Sequence, residues 1–463
     1  MLNLQEDILF KPLSFRNLTI KNRILRSSVS GRLDHYDGSG TRVRINWERK
    51  FARGGVGAII SSFVPVSIEG RILPNFATIH ADKTIPFWKA LVRRVHDYDC
   101  KYIIQLSHSG RQQDIGGIEN RTKTPGSSTS KTESVHGLQC HAMTRVEIEK
   151  VIKEFADGAW RAREAGADGV ELHGSHGYLI TQFLSSGIND RRDEYGGSLE
   201  NRSRFLLEIV RAIRSRVGRD FHLQVKINAT DYNNAVYFWH KPGNTVAETI
   251  RICQWLEQEG VDAIHISTGS SFPHPLNPPG QFPLEELSKT YGSMLSWGRD
   301  AFRNYLFFRF GPLRPLFLLF WNRIKIVKPQ IEGVNLEDSR RVKEQVRIPV
   351  MVTGGFQTAS VIRKAIAERA CDAVTITRAL IANPDLVQIL RQGKNRPDKP
   401  CTYCNKCLVN VLEHPIGCYD LTRFDGDYER MVHEIFSIFD PETASQKICS
   451  LITWQSRQFF NTY

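Results

Sequence analysis

Residues 401–418 read CTYCNKCLVNVLEHPIGC, which sets Cys401, Cys404, Cys407 and Cys418 at C-x2-C-x2-C-x10-C. Three thiols within seven residues can wrap one metal centre, and a fourth after ten more can close the shell. Soft thiolates match iron–sulfide and short loops hold one inorganic cube, so the run suits an iron–sulfur cluster. Zinc is the rival, although structural zinc more often uses two separated pairs or a histidine pair. His414 lies inside the span and keeps zinc open. A cluster here would make this a protein that handles electrons.

A second group lies at 173–184, HGSHGYLITQFL. His173 and His176 flank a turn, and Tyr178 follows two residues later. Two imidazoles can grip one carbonyl oxygen while a phenol delivers a proton nearby. A lone histidine would read as a satisfied polar group; a pair with a tyrosine points to chemistry. A third group is Gly354-Gly355 with Arg378 further on. By itself Gly-Gly reads as a tight turn. With a guanidinium fork beside it, it makes an anion site for a phosphate-bearing cofactor.

The elements that must position these groups form a regular rhythm. β-Branched or apolar runs at 23–30, 56–63, 101–110, 168–176, 221–229, 262–270, 349–355 and 372–378 each precede a helical pattern. Thr144 and Glu147 form a capping box before one such helix. Near-continuous apolar strands alternating with helices indicate a parallel sheet covered on both faces. Eight βα units predict an α/β fold of the closed (β/α)8 TIM barrel type, with catalysis at the C-terminal strand ends. Those ends carry Ser28, Ser30, Gln105, His108, His173, His176, Lys226, Asn228, Gly354, Gly355 and Arg378, where a strand interior would prefer Val, Ile or Leu. The dinucleotide fingerprint and the Walker loop do not occur; GGVGAI at 54–59 has the wrong spacing and position.

The barrel is expected over 1–395, with an insertion at about 270–334, and a cysteine segment and tail over 396–463. At 463 residues and 41% apolar content the chain can bury one large core. Nine cysteines without a disulfide framework, and an N-terminus unlike a secretory signal, predict a reducing, cytoplasmic setting. The net charge of +13 is uneven: 299–328 holds seven Arg/Lys against Asp300, interleaved with eight aromatics. Pro312, Pro315 and the cations interrupt its apolar run, so it does not read as a membrane span. It reads as a lid on the barrel mouth or a contact between copies in a homo-oligomer. The alternative is a peripheral seat on a membrane surface. Nucleic-acid binding lacks a supporting fold.

At this point the chain resembles the old yellow enzyme family of FMN-dependent NADH:flavin oxidoreductases. The resemblance rests on H173-x-x-H176-G-Y178-L…Q182-F-L-S, then N189-x-R191-x-D193-x-Y195-G-G-S-x-x-N201-R-x-R204-F205. Further matches are K21-N-R-I, Q105-L-x-H-x-G-R111 and T353-G-G-F…R378-x-L-I-x-N-P-D. It covers about 7–420, and the cysteine run is similar to the branch of 2,4-dienoyl-CoA reductase and trimethylamine dehydrogenase, where a [4Fe-4S] cluster follows the barrel. The resemblance implies FMN, with NAD(P)H as donor. It implies that Ser27, Ser28, Val29 and Ser30 line the flavin ring and Gln105 bonds its pyrimidine edge or ribityl chain. Lys226 then sits near N1/O2, and Gly354, Gly355, Thr377 and Arg378 hold the phosphate. It also makes His173 and His176 the carbonyl-binding pair and Tyr178 the proton donor, whereas Arg and Asp of the NDRRDEYGG loop would fix the loop. Departures are Ser27-Ser28-Val29 in place of a small-Pro-Met triplet, Ser186 after FLS, and the bulky Phe63. The expected function is reduction of the C=C bond of a small α,β-unsaturated carbonyl or enoyl thioester. Its alternatives are a dehydrogenase passing electrons through the cluster to an external carrier protein, and a membrane-surface electron-transfer subunit.

Overall fold

The computed structural model describes residues 6–113, 124–133, 139–290 and 299–439. Part of the insertion (291–298) and the tail from 440, with Cys449, lie outside the described residues.

Eight parallel strands close into a barrel in which each pairs with the next in sequence and the last with the first. They are β1 (Ile24–Arg26), β2 (Ala58–Pro65), β3 (Lys101–Ser107), β4 (Gly169–Gly174), β5 (His222–Asn228), β6 (Ala263–Ser267), β7 (Val350–Thr353) and β8 (Ala373–Ile376). Helices cover the outside, so outward residues such as Ile59, Ile104, Val170 and Val225 are buried as fully as inward ones. That is why the strands read as apolar runs rather than as alternation. The capping box at Thr144 and Glu147 forms, opening the helix Arg145–Glu164, and a second at Thr245 and Glu248 opens the helix Val246–Gln258.

The barrel interior is layered. At the N-terminal end a short hairpin, Leu13–Ser14 with Thr19–Ile20, plugs the opening and packs on Leu25, Ala58, Ile60, Ile103, Ala263, Met351 and Ala373. Above this apolar layer lies a polar one. Glu171 on β4 accepts from Gln105 (2.7 Å), Gln224 (2.5 Å) and His265 Nδ1 (2.8 Å), and His265 Nε2 meets Thr375 Oγ1 at 2.8 Å. Burial opposes the charge on Glu171, but His265, Lys226 and Gln105 hold its carboxyl well below the usual range. A bulge in β2 between Ile60 and Phe63 shifts the register against β3. Its extra residue Ser61 accepts the Gln105 N–H at 2.8 Å, and Phe63 packs edge-on against Tyr178, 4.9 Å between centroids.

The insertion after β6 is helical: Leu284–Thr290, then Arg299–Arg309 and Arg314–Val327 joined by a tight turn at Gly311–Leu313. No helix among the described residues is long and apolar enough to cross a membrane. The cysteine segment packs on the barrel rather than projecting from it. Ile416 is fully buried, and a Cβ at Gly31 would stand 2.4 Å from Ile416 Cγ2, so the close approach needs glycine there. The helix Tyr428–Phe436 follows, and Asn46 Nδ2 donates to the Ile438 carbonyl beyond it at 2.9 Å.

Candidate active site

β4 carries His173 next to its end, and the sharp turn through which the chain leaves it carries His176 and Tyr178. His176 (φ 63°) and Gly177 (φ 80°) are both left-handed, and a Cβ at Gly177 would lie 2.3 Å from the Ser270 carbonyl, which excludes a side chain. Gln112 donates to the His176 carbonyl at 3.0 Å and Asn228 accepts its N–H at 3.3 Å, so the turn is held from both sides. The His173 and His176 rings lie 5.1 Å apart and Tyr178 stands 4.8 Å from His173. Ser175 Oγ meets His173 Nδ1 at 3.3 Å, and Ser267 Oγ meets His176 Nε2 at 2.7 Å. One nitrogen of each ring is thereby engaged. With the serine hydroxyls donating, the opposite nitrogen carries the proton and becomes a donor. Burial, then the Lys226 ammonium, pushes both imidazoles well below their usual range, so they are neutral at physiological pH.

A cavity of about 210 Å³ opens beside them at the strand ends. It is lined by Ser27, Ser28, Val29, Ser30, Lys226, Gly354, Gly355, Thr377 and Arg378 together with His173, His176 and Tyr178. Lys226 is buried, which pulls its ammonium down to about 8 while Glu171 opposes the fall. Its Nζ lies 3.5 Å from Ser27 Oγ. Gly355 is left-handed (φ 73°), and Arg378 Nη1 donates to the Pro279 carbonyl (2.6 Å) and Asn405 Oδ1 (2.5 Å). Gln105 stands apart from this lining. It lies one layer below, where its carbonyl accepts from Ser28 Oγ at 2.7 Å and its amide is given to Glu171.

Two residues that sequence reasoning did not single out complete the cavity. Asn277 Nδ2 and Asn335 Oδ1 are buried without a hydrogen-bond partner, and both side chains line it. An orphaned donor and an orphaned acceptor beside serines, a lysine and a glycine turn suit a polar, phosphate-bearing ligand, and FMN fits that donor set. Neither asparagine carries a motif, and their approach depends on the path of the insertion.

Beyond Tyr178 a second chamber of about 510 Å³ is lined by Phe282, Phe308, Phe317 and Trp321, and also by Arg111 and Lys241. Tyr178, Ile72, Phe272 and Leu412 line both spaces, so the phenol stands between them. The Arg191 guanidinium clasps Asp193 (3.0 and 2.5 Å) and donates to the Met143 carbonyl (2.8 Å), so these two residues of the NDRRDEYGG loop pair with each other.

The cysteine segment forms one wall of the first cavity through Tyr403, Leu408, Val411 and Leu412. Cys401 and Cys407 are buried, Cys404 and Cys418 half-buried, and all four are free thiols. Tyr403 (φ 58°) and Asn405 (φ 62°) are left-handed, which coils the first three cysteines into a tight loop. Burial, then Cys401, pushes the Cys407 thiol well above its usual range, and Cys418 and Cys404 add to the effect, so the four sulfurs lie within electrostatic range of one another. A set of four soft donors is chemically fit for a cluster. His414 is exposed, with its ring beside Tyr419. Among the described residues no group of three or more His, Cys, Asp or Glu is arranged around a single metal ion.

A closed barrel with this cradle at its mouth fits a flavin-dependent oxidoreductase. Comparison with known proteins agrees. The model of the NADH:flavin oxidoreductase / NADH oxidase family matches residues 8–278, and the chain belongs to that family of enzymes. A dihydrouridine synthase model matches 323–445. The chain is 32% identical over 420 residues to an NADH oxidase of Thermoanaerobacter brockii, covering 87% of this chain and 56% of that protein. It is 38% identical over 273 residues to an NADPH dehydrogenase of Geobacillus sp. (strain WCH70), covering 58% of this chain and 75% of that one. The chain thus spans little more than half the length of the first of these. Among solved structures, 2-naphthoyl-CoA reductase in complex with 2-naphthoyl-CoA superposes with a TM-score of 0.71 at 24% identity, over 91% of this chain and 58% of that one. At that identity the likeness shows the fold.

Proposed function

We propose that the protein is an FMN- and [4Fe-4S]-dependent ene-reductase that uses NAD(P)H to reduce the C=C bond of an α,β-unsaturated carbonyl compound or enoyl thioester. The observation that carries this reading is the end of β4 and the turn after it, where two neutral imidazoles and a phenol face one cavity. The opposite ring nitrogens of His173 and His176 bind the substrate's carbonyl oxygen and draw charge toward it. A neutral donor suits this role, because it stabilises developing enolate charge without first giving up its proton. Tyr178 holds the proton destined for the α-carbon.

In this reading Ser27, Ser28, Val29 and Ser30 hold the flavin ring, Lys226 its pyrimidine edge, and Gly354, Gly355, Thr377 and Arg378 its phosphate. Asn277 and Asn335 supply two further contacts. Bound FMN supplies hydride for the β-carbon. Cys401, Cys404, Cys407 and Cys418 hold the cluster, which supplies one-electron exchange. The boundary at about 395 then separates the flavin barrel from an electron-entry segment open to an external carrier. Homo-oligomer formation, a cytoplasmic setting and a peripheral seat on a membrane through 299–328 complete the proposal.

The test is an anaerobic assay of purified protein for flavin, iron, acid-labile sulfide and zinc, followed by titration with NADPH and NADH and addition of 2-cyclohexenone. Flavin bleached by a pyridine nucleotide and recoloured by the enone is the expected result. Zinc without sulfide removes the cluster from the proposal. Bleached flavin that no enone recolours removes the ene-reductase.

A further inference from the structure

The two helices of the insertion carry apolar residues on both of their sides. Inward, Phe308 and Trp321 are buried, and Trp321 meets Phe282 at 4.4 Å and Phe317 at 5.7 Å to roof the second chamber. Outward, Phe302, Leu306 and Phe310 recur every four residues and are 52%, 45% and 58% exposed. On the following helix Leu316, Leu319 and Ile326 are 44%, 69% and 82% exposed. Phe238 and Trp239 add 53% and 65% exposed rings, and the Arg323 guanidinium lies 5.3 Å from the Phe238 ring, which joins the two patches. A packed helix face opposite a second apolar face implies a second partner for the outer one.

Charge selects that partner. The stretch 299–328 carries seven cations and a single acid, Asp300; Lys328 pairs with Asp338 and Arg314 and Lys325 donate to the Phe308 and Gly280 carbonyls, whereas Arg309 and Arg323 are exposed among the apolar residues. Exposed apolar side chains with cations between them match the boundary of an anionic bilayer, where headgroup charge overlies acyl chains. We propose that the outer face of this hairpin seats the protein on an anionic lipid bilayer, and that the chamber under it receives the apolar part of a substrate drawn from that bilayer. The docking stands on the hairpin alone; only the chamber's content rests on the ene-reductase reading. The aromatic roof and the docking face are two sides of the same two helices, so a substrate leaving the bilayer meets the chamber that ends at Tyr178.

The experiment is sedimentation of the full-length holoprotein with vesicles of phosphatidylcholine and phosphatidylglycerol (3:1) or of phosphatidylcholine alone, at low and high salt. Pelleting with the anionic vesicles that weakens with salt is expected. Leu319→Glu/Ile326→Glu should lower the partition at least ~10-fold, and Arg309→Ser/Arg323→Ser by ~10-fold or more, at roughly fivefold per cation. Both should keep wild-type flavin content and wild-type reduction of water-soluble 2-cyclohexenone. Wild-type protein left in the supernatant of anionic vesicles overturns the proposal. So does equal pelleting of wild type and both variants. A wild-type dimer that Leu319→Glu/Ile326→Glu converts to monomer, with pelleting unchanged, assigns the face to a second copy and also overturns it. Failure to turn over 2-cyclohexenone would sink the ene-reductase reading and leave vesicle binding untouched, so the two failures are distinguishable.

Discussion

The Tyr403 hydroxyl donates to the Gly355 carbonyl at 2.6 Å, tying the loop of the first three cysteines to the glycine turn after β7. Gln357 doubles the tie, donating to Tyr403 Oη (2.7 Å) and the Cys401 carbonyl (3.1 Å) and accepting from Cys401 N–H (2.9 Å). Tyr403→Phe keeps the ring under Arg378 but leaves a half-buried carbonyl short of a donor. Stability should fall by about 1–2 kcal/mol, and FMN should dissociate several-fold faster as the turn loosens. Urea unfolding and the fluorescence of released flavin would measure both. Unchanged values for both would mean the tie carries neither load.

Tyr178→Phe removes the phenol hydroxyl and leaves the ring in its aromatic cluster with Phe63 and Phe76. Alkene reduction should slow by ~10²-fold or more, while reduction of the flavin by NADPH keeps its wild-type rate. Stopped-flow measurement of the two half-reactions separates them. Equal oxidative half-reactions in mutant and wild type would take Tyr178 out of the chemistry.

Glu171 supports the charge of Lys226, whose ammonium burial has drawn down to about 8. A group with a lowered amine pKa is charged below that value and neutral above it. Turnover that needs the ammonium should therefore decline as pH rises through about 8. In Glu171→Gln the supporting carboxylate is gone, so Lys226 gives up its proton more readily and the alkaline limb should move to lower pH. A pH–rate profile of flavin reduction checks this, and an unmoved limb would uncouple the two residues.

Acid should weaken the fold through two buried histidines. Burial, then Lys150, lowers His108 to about 4, and burial lowers His274 to about 4 against the pull of the Tyr232 carbonyl. Each also accepts a backbone N–H at Nδ1, from Gly110 and Leu276, both at 3.1 Å. In the unfolded chain both titrate near 6.5. Between about 6.5 and 4 the unfolded chain takes up protons that the folded chain refuses, so stability falls as pH drops, by up to about 3 kcal/mol per histidine. Urea midpoints at pH 7.5, 6 and 5 should decrease in that order; a midpoint that rises toward pH 5 contradicts the assignment.

How much of this is legible without coordinates follows from which signals are local. The eight strands are, because a strand covered on both faces is a run of apolar residues wherever it sits. Their ends are less so. The run 23–30 reads as one strand, yet only Ile24–Arg26 pairs in the barrel, because Ser27 to Ser30 peel away to line the cavity. The polar layer of Gln105, Glu171, Gln224, His265 and Thr375 is invisible in sequence, since closure of the barrel alone makes neighbours of residues up to 270 positions apart. In the insertion, Pro312 and Pro315 read as interruptions of an apolar run. They are the start of a turn and the first turn of a helix, positions where a missing N–H costs nothing. Gln105 is legible as a polar strand end, but its depth below the cavity is not, since that depends on Ser28 lying above it.

Asn405 sits between two of the cysteines and grips two other parts of the molecule at once. Its side chain takes Arg378 from the helix start just beyond the last strand and gives its amide to the Gln281 carbonyl in the insertion, 2.8 Å away. Any swelling, collapse or oxidation of that coil would be felt as a twist by the cradle on one side and by the roof on the other. On the proposed function, electron supply, flavin grip and substrate entry would then be lost together, as a fuse fails, rather than one leaking while the others run on.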